Sequence, residues 1–162
     1  MYGLVNYQLS GIQKGIQFGH AVVEYGQMVK GTELEEKYND WADNWKTFIV
    51  LNGGTTSDEL VDIEDRLQYH GSLNRYSEQL KEMDIPIAEF REPDLGNQLT
   101  AVVFIVSESA FGIPTQREFM REFQLYTTGG KSRDQQVLEM RQEKYGEENV
   151  AIKDFLTPLR FA

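Results

Sequence analysis

Hydrophobic residues recur with two kinds of spacing along the chain, one typical of strands and one typical of helices. Residues 2–9, 46–54, 85–92 and 99–106 are short runs rich in β-branched, aromatic and apolar side chains, which predicts four strands. Between Ile12 and Lys30 the apolar residues recur every three or four positions, which predicts a helix. Similar spacing or cap residues predict further helices at 32–45, 55–68, 75–84, 114–126, 133–146 and 149–159.

The order of these elements indicates an α/β fold. We predict a single three-layer domain with a mixed, about four-stranded sheet flanked by helices. The turn residues PDLGNQ (93–98) separate the last two predicted strands, which predicts a hairpin at the end of the sheet. Residues 107–162 contain no strong strand pattern and are predicted to be a helical C-terminal extension, packed on the same domain as the 1–106 core.

Composition excludes several chemistries. The chain has no cysteine, which excludes disulfides and thiolate nucleophiles or ligands. The start shows no basic segment followed by an apolar one, and no apolar run reaches the roughly 18 residues of a membrane span. These observations predict a cytoplasmic protein without a membrane partner. His20 and His70 are the only histidines, and no pair of metal-ligand residues stands out, so neither a metal nor a cofactor is expected.

The net charge of −10 argues against a general nucleic-acid binder, because phosphate contacts need Lys and Arg. The acidic residues are concentrated in one region. Ten acids and two bases lie between Glu33 and Asp65, a net of −8. Such a run is either a solvated face or a surface that docks a partner protein. The segment before Glu33 holds Lys14, Lys30 and one acid.

The start of the first predicted helix carries the candidate chemistry. Ser10 and Gln13 have the S-x-x-Q spacing of a capping box. The free N–H groups of the first turn and Lys14 would together favour an anion. Gln13, Gln17 and His20 lie at i, i+4 and i+7, on one face of the helix. With an ordinary pKa near 6.5, a histidine can act as acid or base. The residues alone leave two interpretations open, an active-site face or an ordinary packed histidine.

Two segments carry a resemblance to a known family. The segment QKGIQFGHA (13–21) resembles the helix-opening motif of type 2 peptidyl-tRNA hydrolases, a Gly- and Lys-bearing loop followed by A-Q-x-x-H-A. Gln17, His20 and Ala21 match its Q-x-x-H-A core. The segment REPDLGNQLTAVVFIV (91–106) resembles the family's D-A-G-x-T-Q … T-V-L-A-I region, in the E-P-D-L-N form of short members predicted in phage genomes. The resemblance covers about residues 2–106.

The resemblance implies hydrolysis of the ester between a peptide and the 3′ ribose of tRNA. The family's catalytic histidine and aspartate correspond to His20 and Asp94, and an Asp94–His20 pair is expected to orient the imidazole. The family's threonine corresponds to Thr100, with Asn97 as the other candidate. Gln13 stands where the family has a lysine, a departure because an amide carries no charge. Helix N–H groups, Gln13 or Thr100 are expected to stabilise the tetrahedral oxyanion.

The resemblance also implies partners. We expect the tRNA acceptor end to contact a set of substrate-binding residues: Lys14, Gln17, Lys30, Arg91 and Asn97. Family members often pair, which implies a homodimer. The alternative is a catalytically weakened or inactive member that acts as a protein-binding module in a phage–host interaction. It would dock a host protein through residues 33–65 or through the helical tail.

Overall fold

The computed structural model of the protein describes residues 1–123 and 133–162. The chain forms two compact units. The first comprises Met1–Ile105 together with Arg160–Ala162, and the second comprises Val106–Leu159. In the first unit the helices and strands are, in chain order, β1 (Tyr2–Asn6), α1 (Gly11–Val29), α2 (Glu35–Asp40), β2 (Ile49–Gly54), β3 (Leu60–Ile63), β4 (Arg66–Tyr69), α3 (Ser72–Glu82), β5 (Ile87–Glu92) and β6 (Gln98–Phe104).

Four of these strands form a mixed sheet in the order β2-β1-β6-β5. Strand β1 runs parallel to β2 and antiparallel to β6, and β5 pairs antiparallel with β6. The predicted α/β class, the mixed four-stranded sheet and the terminal hairpin are therefore confirmed. The chain end also joins this sheet, because Phe161 forms an antiparallel bridge to Leu51 of β2.

Helices cover both faces of the sheet. Successive residues of β1 point to opposite faces. A side chain at Gly3 would collide with the ring of Phe18 from α1, so this position needs glycine. The next residue, Leu4, lies on the face where Leu73 of α3 packs against Gly53. The core between α1 and the sheet includes Val5, Phe18, Ala21, Tyr25, Val29, Ala101 and Val103.

The predicted helix over 55–68 is wrong. This segment holds β3 and β4, which pair as a separate two-stranded hairpin. Its two-residue turn is Glu64-Asp65, with φ of 53° and 63°. Positive φ at both positions is what a type I′ hairpin turn requires. The residues that suggested a helix cap make other bonds: the Thr56 hydroxyl donates to the carbonyl of Leu99 at 2.6 Å.

The predicted helix over 32–45 is shorter, and its capping box is wrong. Helix α2 covers only Glu35–Asp40, and a π-helical turn follows over Trp41–Trp45. The Thr32 hydroxyl donates to the carbonyl of Val29 at 2.7 Å, and the Glu35 carboxylate accepts from the Gly31 N–H at 2.8 Å. Both side chains therefore bond to the backbone at the end of α1, and the Thr32 hydroxyl satisfies one of the last carbonyls, which lack partners within the helix.

The second unit contains α4 (Gln116–Glu122), α5 (Arg133–Tyr145) and α6 (Glu147–Leu156). Three helices were predicted here, and all three are present with shifted ends. Residues 124–126 of the first, and the predicted loop 127–132, lie outside the described residues. Pro114 precedes the cap of α4 instead of entering its first turn, because Thr115 is the N-cap residue. Packing of this extension on the core stays a prediction. Within the described ranges, no helix has the length and apolar character needed to cross a membrane.

Candidate functional site

The start of α1 is fixed by the predicted capping box. The Gln13 N–H donates to the Ser10 hydroxyl at 3.3 Å, and the Gln13 amide oxygen accepts from the Ser10 N–H at 3.0 Å. The side chain of Gln13 is thus used within the first turn. These two local bonds explain how a glutamine is accommodated at a position where type 2 peptidyl-tRNA hydrolases, the family that the sequence resembles, have a lysine.

One turn further along α1, Gln17 reaches across to the sheet. The Thr100 hydroxyl donates to the Gln17 Oε1 at 2.8 Å, and its oxygen also lies 3.1 Å from the carbonyl oxygen of Phe90. Both side chains are buried, with 1% of Thr100 and 7% of Gln17 exposed. The motif glutamine and the predicted threonine therefore meet inside the protein.

A β-bulge places Thr100 in this position. Phe90 pairs with Ala101 and Arg91 pairs with Leu99, so Thr100 is an additional residue of β6 without a partner in β5. An additional residue breaks the strict alternation of side chains between the two faces of a sheet. Thr100 and its neighbour Ala101 consequently both face α1, one at Gln17 and the other in the core.

Glu92 completes the chain of hydrogen bonds. Its Oε2 accepts from the Gln17 Nε2 at 2.6 Å, and its Oε1 accepts from the Asp94 N–H at 3.3 Å. These two bonds, with a smaller contribution from the nearby His20, hold the pKa of Glu92 below its usual value. An ionised carboxylate only accepts hydrogen bonds, so Gln17 must present its NH₂ group to Glu92 and its oxygen to Thr100. Glu92 was not predicted as a site residue, although it belongs to the segment REPDLGNQ (91–98).

His20 lies on the surface beside these buried groups. Its ring is exposed and stacks on Phe90 of β5, with 4.5 Å between the ring centroids and 17° between the ring planes. An imidazole held by stacking on one face stays open to water and to a substrate on the other. His20 therefore has the exposure that a general base needs.

The predicted Asp94–His20 pair is not present. Over the described ranges, neither a hydrogen bond nor an ion pair joins the two residues, and the carboxylate whose pKa His20 helps to lower is that of Glu92. The cause is the 3₁₀ turn over Pro93–Leu95. It directs the backbone N–H of Asp94 toward Glu92 and leaves the Asp94 side chain exposed.

The predicted phosphate-binding cations are not brought together. Arg91 binds the Asp58 carboxylate at 3.1–3.2 Å and donates to the Asn97 carbonyl at 3.3 Å. Lys30 follows the last residue of α1, 16 positions after Lys14, which corresponds to about 24 Å along the helix. Lys14 lies in the first turn of α1 and is half-buried.

Asn97 has a structural position in the turn. Its φ is 61°, and its N–H donates to the Glu92 carbonyl at 3.0 Å. Asparagine tolerates this left-handed conformation better than most residues. Asn97 therefore shapes the turn between β5 and β6, and its exposed side chain stays a candidate substrate contact.

Comparisons of the chain with models of protein families, with curated proteins and with solved structures find no match. The part of the chain that the structure describes contains no group of three His, Asp or Glu residues able to hold a metal ion. The reactivity of the site therefore depends on the groups that the structure places there. These are an exposed imidazole, an ionised carboxylate near it, a buried amide that links that carboxylate to a threonine, and the N-terminal turn of a helix.

Proposed function

We propose that the protein hydrolyses the ester bond between a peptidyl group and the 3′ ribose of tRNA, with His20 as the general base. The observation that supports this proposal is the buried hydrogen bond between Thr100 and Gln17, residues 83 positions apart. It joins the two segments on which the resemblance to peptidyl-tRNA hydrolases rests. The exposed imidazole of His20 lies one turn of α1 after Gln17.

In the proposed reaction the neutral imidazole of His20 takes a proton from water as the water oxygen attacks the ester carbonyl carbon. The tetrahedral intermediate then expels the 3′ oxygen of the ribose, which takes the proton back from His20. The products are a free peptide carboxylate and a tRNA with an intact 3′ hydroxyl.

The start of α1 offers positive charge to an anionic group of the substrate. The first N–H groups of a helix have no partner within the helix and carry a partial positive charge. Lys14 adds a full charge in the same turn, where the side chain of Gln13 is held by the capping box. His20 comes eight positions after Ile12, about 12 Å along the helix, so we assign this turn to a phosphate of the tRNA 3′ end.

Thr100 acts on Gln17 and not on the substrate in this proposal. Its one hydroxyl proton is directed at the Gln17 Oε1, and the side chain is buried. Asp94 presents the second carboxylate of the same turn and is exposed, so it is placed to contact the substrate or its attacking water.

A second candidate is the protein-binding module. The observation that favours it is the scarcity of free positive charge at the site. Arg91 is neutralised by Asp58 at 3.1 Å, and Lys30 lies at the other end of α1. Across residues 1–123 and 133–162, Lys14 has no ion pair, and it is left as the cation at this helix start. A tRNA binder ordinarily presents several such cations.

Two substrates with the same ester separate these functions. The first is an N-acetylated aminoacyl-tRNA, and the second is the same N-acetylated amino acid esterified to adenosine. We expect the wild-type protein to release the N-acetyl amino acid from tRNA, and Asp94→Ala to slow the release. Equal rates on both substrates would mean ester hydrolysis without tRNA recognition. Hydrolysis of neither ester by folded protein would overturn the hydrolase and leave the binding module.

A further inference from the structure

The β3–β4 hairpin presents an exposed apolar face outside the main sheet. Leu60 pairs with Tyr69 and Asp62 pairs with Leu67, so these four side chains share one face. The exposed fractions of Leu60 and Leu67 are 55% and 75%. We call this surface the Leu60–Leu67 face. A two-stranded hairpin is barely stable by itself, so apolar side chains left in water on such a hairpin indicate a surface for a partner.

Negative charge surrounds this face. Four exposed acids lie in or next to the hairpin: Asp62 on this face, Glu64 and Asp65 in the turn, and Glu59, which pairs with His70 and points to the opposite face. Arg66 is the one base of the two strands and their turn. Glu59 lies 4.0 Å from the exposed ring of His70, and no other ion pair within the described ranges involves these acids. Nucleic acids and anionic membranes are repelled by such a rim, whereas a basic polypeptide is attracted to it.

The base of the hairpin is held firmly. The Asp58 carboxylate accepts from Arg91 of β5 at 3.1–3.2 Å and from the amide of Asn74 at 2.8 Å. Asn74 belongs to α3 and is buried, and its oxygen accepts from the Ser57 N–H at 3.1 Å. A side chain at Gly71 would overlap the backbone at Ser57, so the two ends of the hairpin lie in close contact. A surface anchored in this way loses little freedom when a partner binds.

We propose that the Leu60–Leu67 face binds a basic segment of another protein. The partner segment carries apolar side chains that cover Leu60 and Leu67, together with lysines or arginines that pair with Asp62 and Glu64. This interaction uses no group of the His20 site. It therefore stands or falls independently of the hydrolase activity.

The probe is a fluorescein-labelled octapeptide of alternating lysine and leucine, with binding measured by fluorescence anisotropy. Two double variants remove one contribution each: Leu60→Ser with Leu67→Ser, and Asp62→Lys with Glu64→Lys. The matched control is Glu36→Lys with Asp43→Lys, which changes exposed acids elsewhere in the acidic region. Both charge variants raise the net charge by four, from −10 to −6.

We expect the peptide to bind the wild type, and each hairpin variant to weaken binding at least ten-fold. The control should change the Kd less than three-fold. Absence of binding to the wild type would overturn the proposal. Equal weakening by the control and by the hairpin charge variant would also overturn it, since net charge alone would then explain binding. If the serine variant does not fold, the comparison of the two charge variants decides the matter.

Discussion

The hydroxyl of Thr100 donates a 2.8 Å hydrogen bond to the amide oxygen of Gln17, in the interior of the protein and across 83 residues of sequence. Thr100 reaches Gln17 because it is the additional residue of a β-bulge in β6. The bond also fixes the other end of the amide, whose Nε2 donates to Glu92 at 2.6 Å. A single buried amide thus connects the bulge of the sheet with the carboxylate that lies near His20.

Replacing Thr100 by valine keeps the shape of the side chain and removes the hydroxyl. The buried amide oxygen of Gln17 then has no hydrogen-bond donor, which lowers the free energy of unfolding by about 1–3 kcal/mol. We expect this loss in urea denaturation of Thr100→Val, and a smaller loss in Thr100→Ser, which keeps the hydroxyl. A valine variant as stable as the wild type would show that the bond contributes nothing.

The Glu92 carboxylate should make stability depend on pH. Hydrogen bonds from Gln17 and Asp94 hold its pKa below the usual 4.5. A group whose pKa is lowered by folding stabilises the folded state fully above its unfolded pKa, and the effect is lost as pH falls through its folded pKa. The stability difference between the wild type and Glu92→Gln should therefore be largest at neutral pH and shrink below pH of about 4.5.

Urea denaturation of both proteins between neutral and acidic pH measures this difference. Glu89 and Glu118 also have lowered pKa values, and they contribute equally to the two proteins. A difference that stays constant over the whole range, or that grows on acidification, would contradict the assigned bonds.

Local features of the fold were predictable from the sequence, and several long-range ones were not. The capping box of Ser10 and Gln13 spans three residues and was found in the pattern. The helix predicted at 55–68 was wrong because the Glu64-Asp65 turn lacks the glycine or asparagine that usually marks a hairpin. Glu92 was missed because its partner Gln17 lies 75 positions away. Only the folded structure reveals such a pairing.

The unusual turn suggests a stabilising substitution. Residues other than Gly, Asn and Asp pay about 1–2 kcal/mol to adopt positive φ, so most of the cost in this turn falls on Glu64. Replacing Glu64-Asp65 by Asn-Gly should therefore raise the free energy of unfolding by about 1 kcal/mol. Urea denaturation checks this, with Asp65→Ala as a comparison that should not stabilise. A less stable Asn-Gly variant would argue against the hairpin turn.

In the second unit, Arg141 and Asp154 form a buried ion pair. The guanidinium has no exposed surface and donates to the carboxylate at 2.7 and 2.8 Å, while its Nε has no partner among the described residues. Removing one partner of a buried pair leaves an uncompensated charge and destabilises the folded protein by about 3–5 kcal/mol. The destabilisation is smaller here because Asp154 is partly exposed. We expect Asp154→Ala to destabilise more than Arg141→Met in thermal denaturation. The reverse order would contradict this account.

The central claim is that His20 catalyses ester hydrolysis, and the chain offers a matched control in its other histidine. His70 is exposed as well, and it lies beside Glu59 at the base of the β3–β4 hairpin. The decisive measurement is the initial rate of N-acetyl amino acid release from an N-acetylated aminoacyl-tRNA by the wild type, His20→Ala and His70→Ala. Loss of a general base lowers such a rate by about 10²–10⁴-fold. We predict a loss in this range for His20→Ala, with the folded structure retained, and a rate close to the wild type for His70→Ala. Equal rates for all three proteins, or no release by any of them, would contradict the claim.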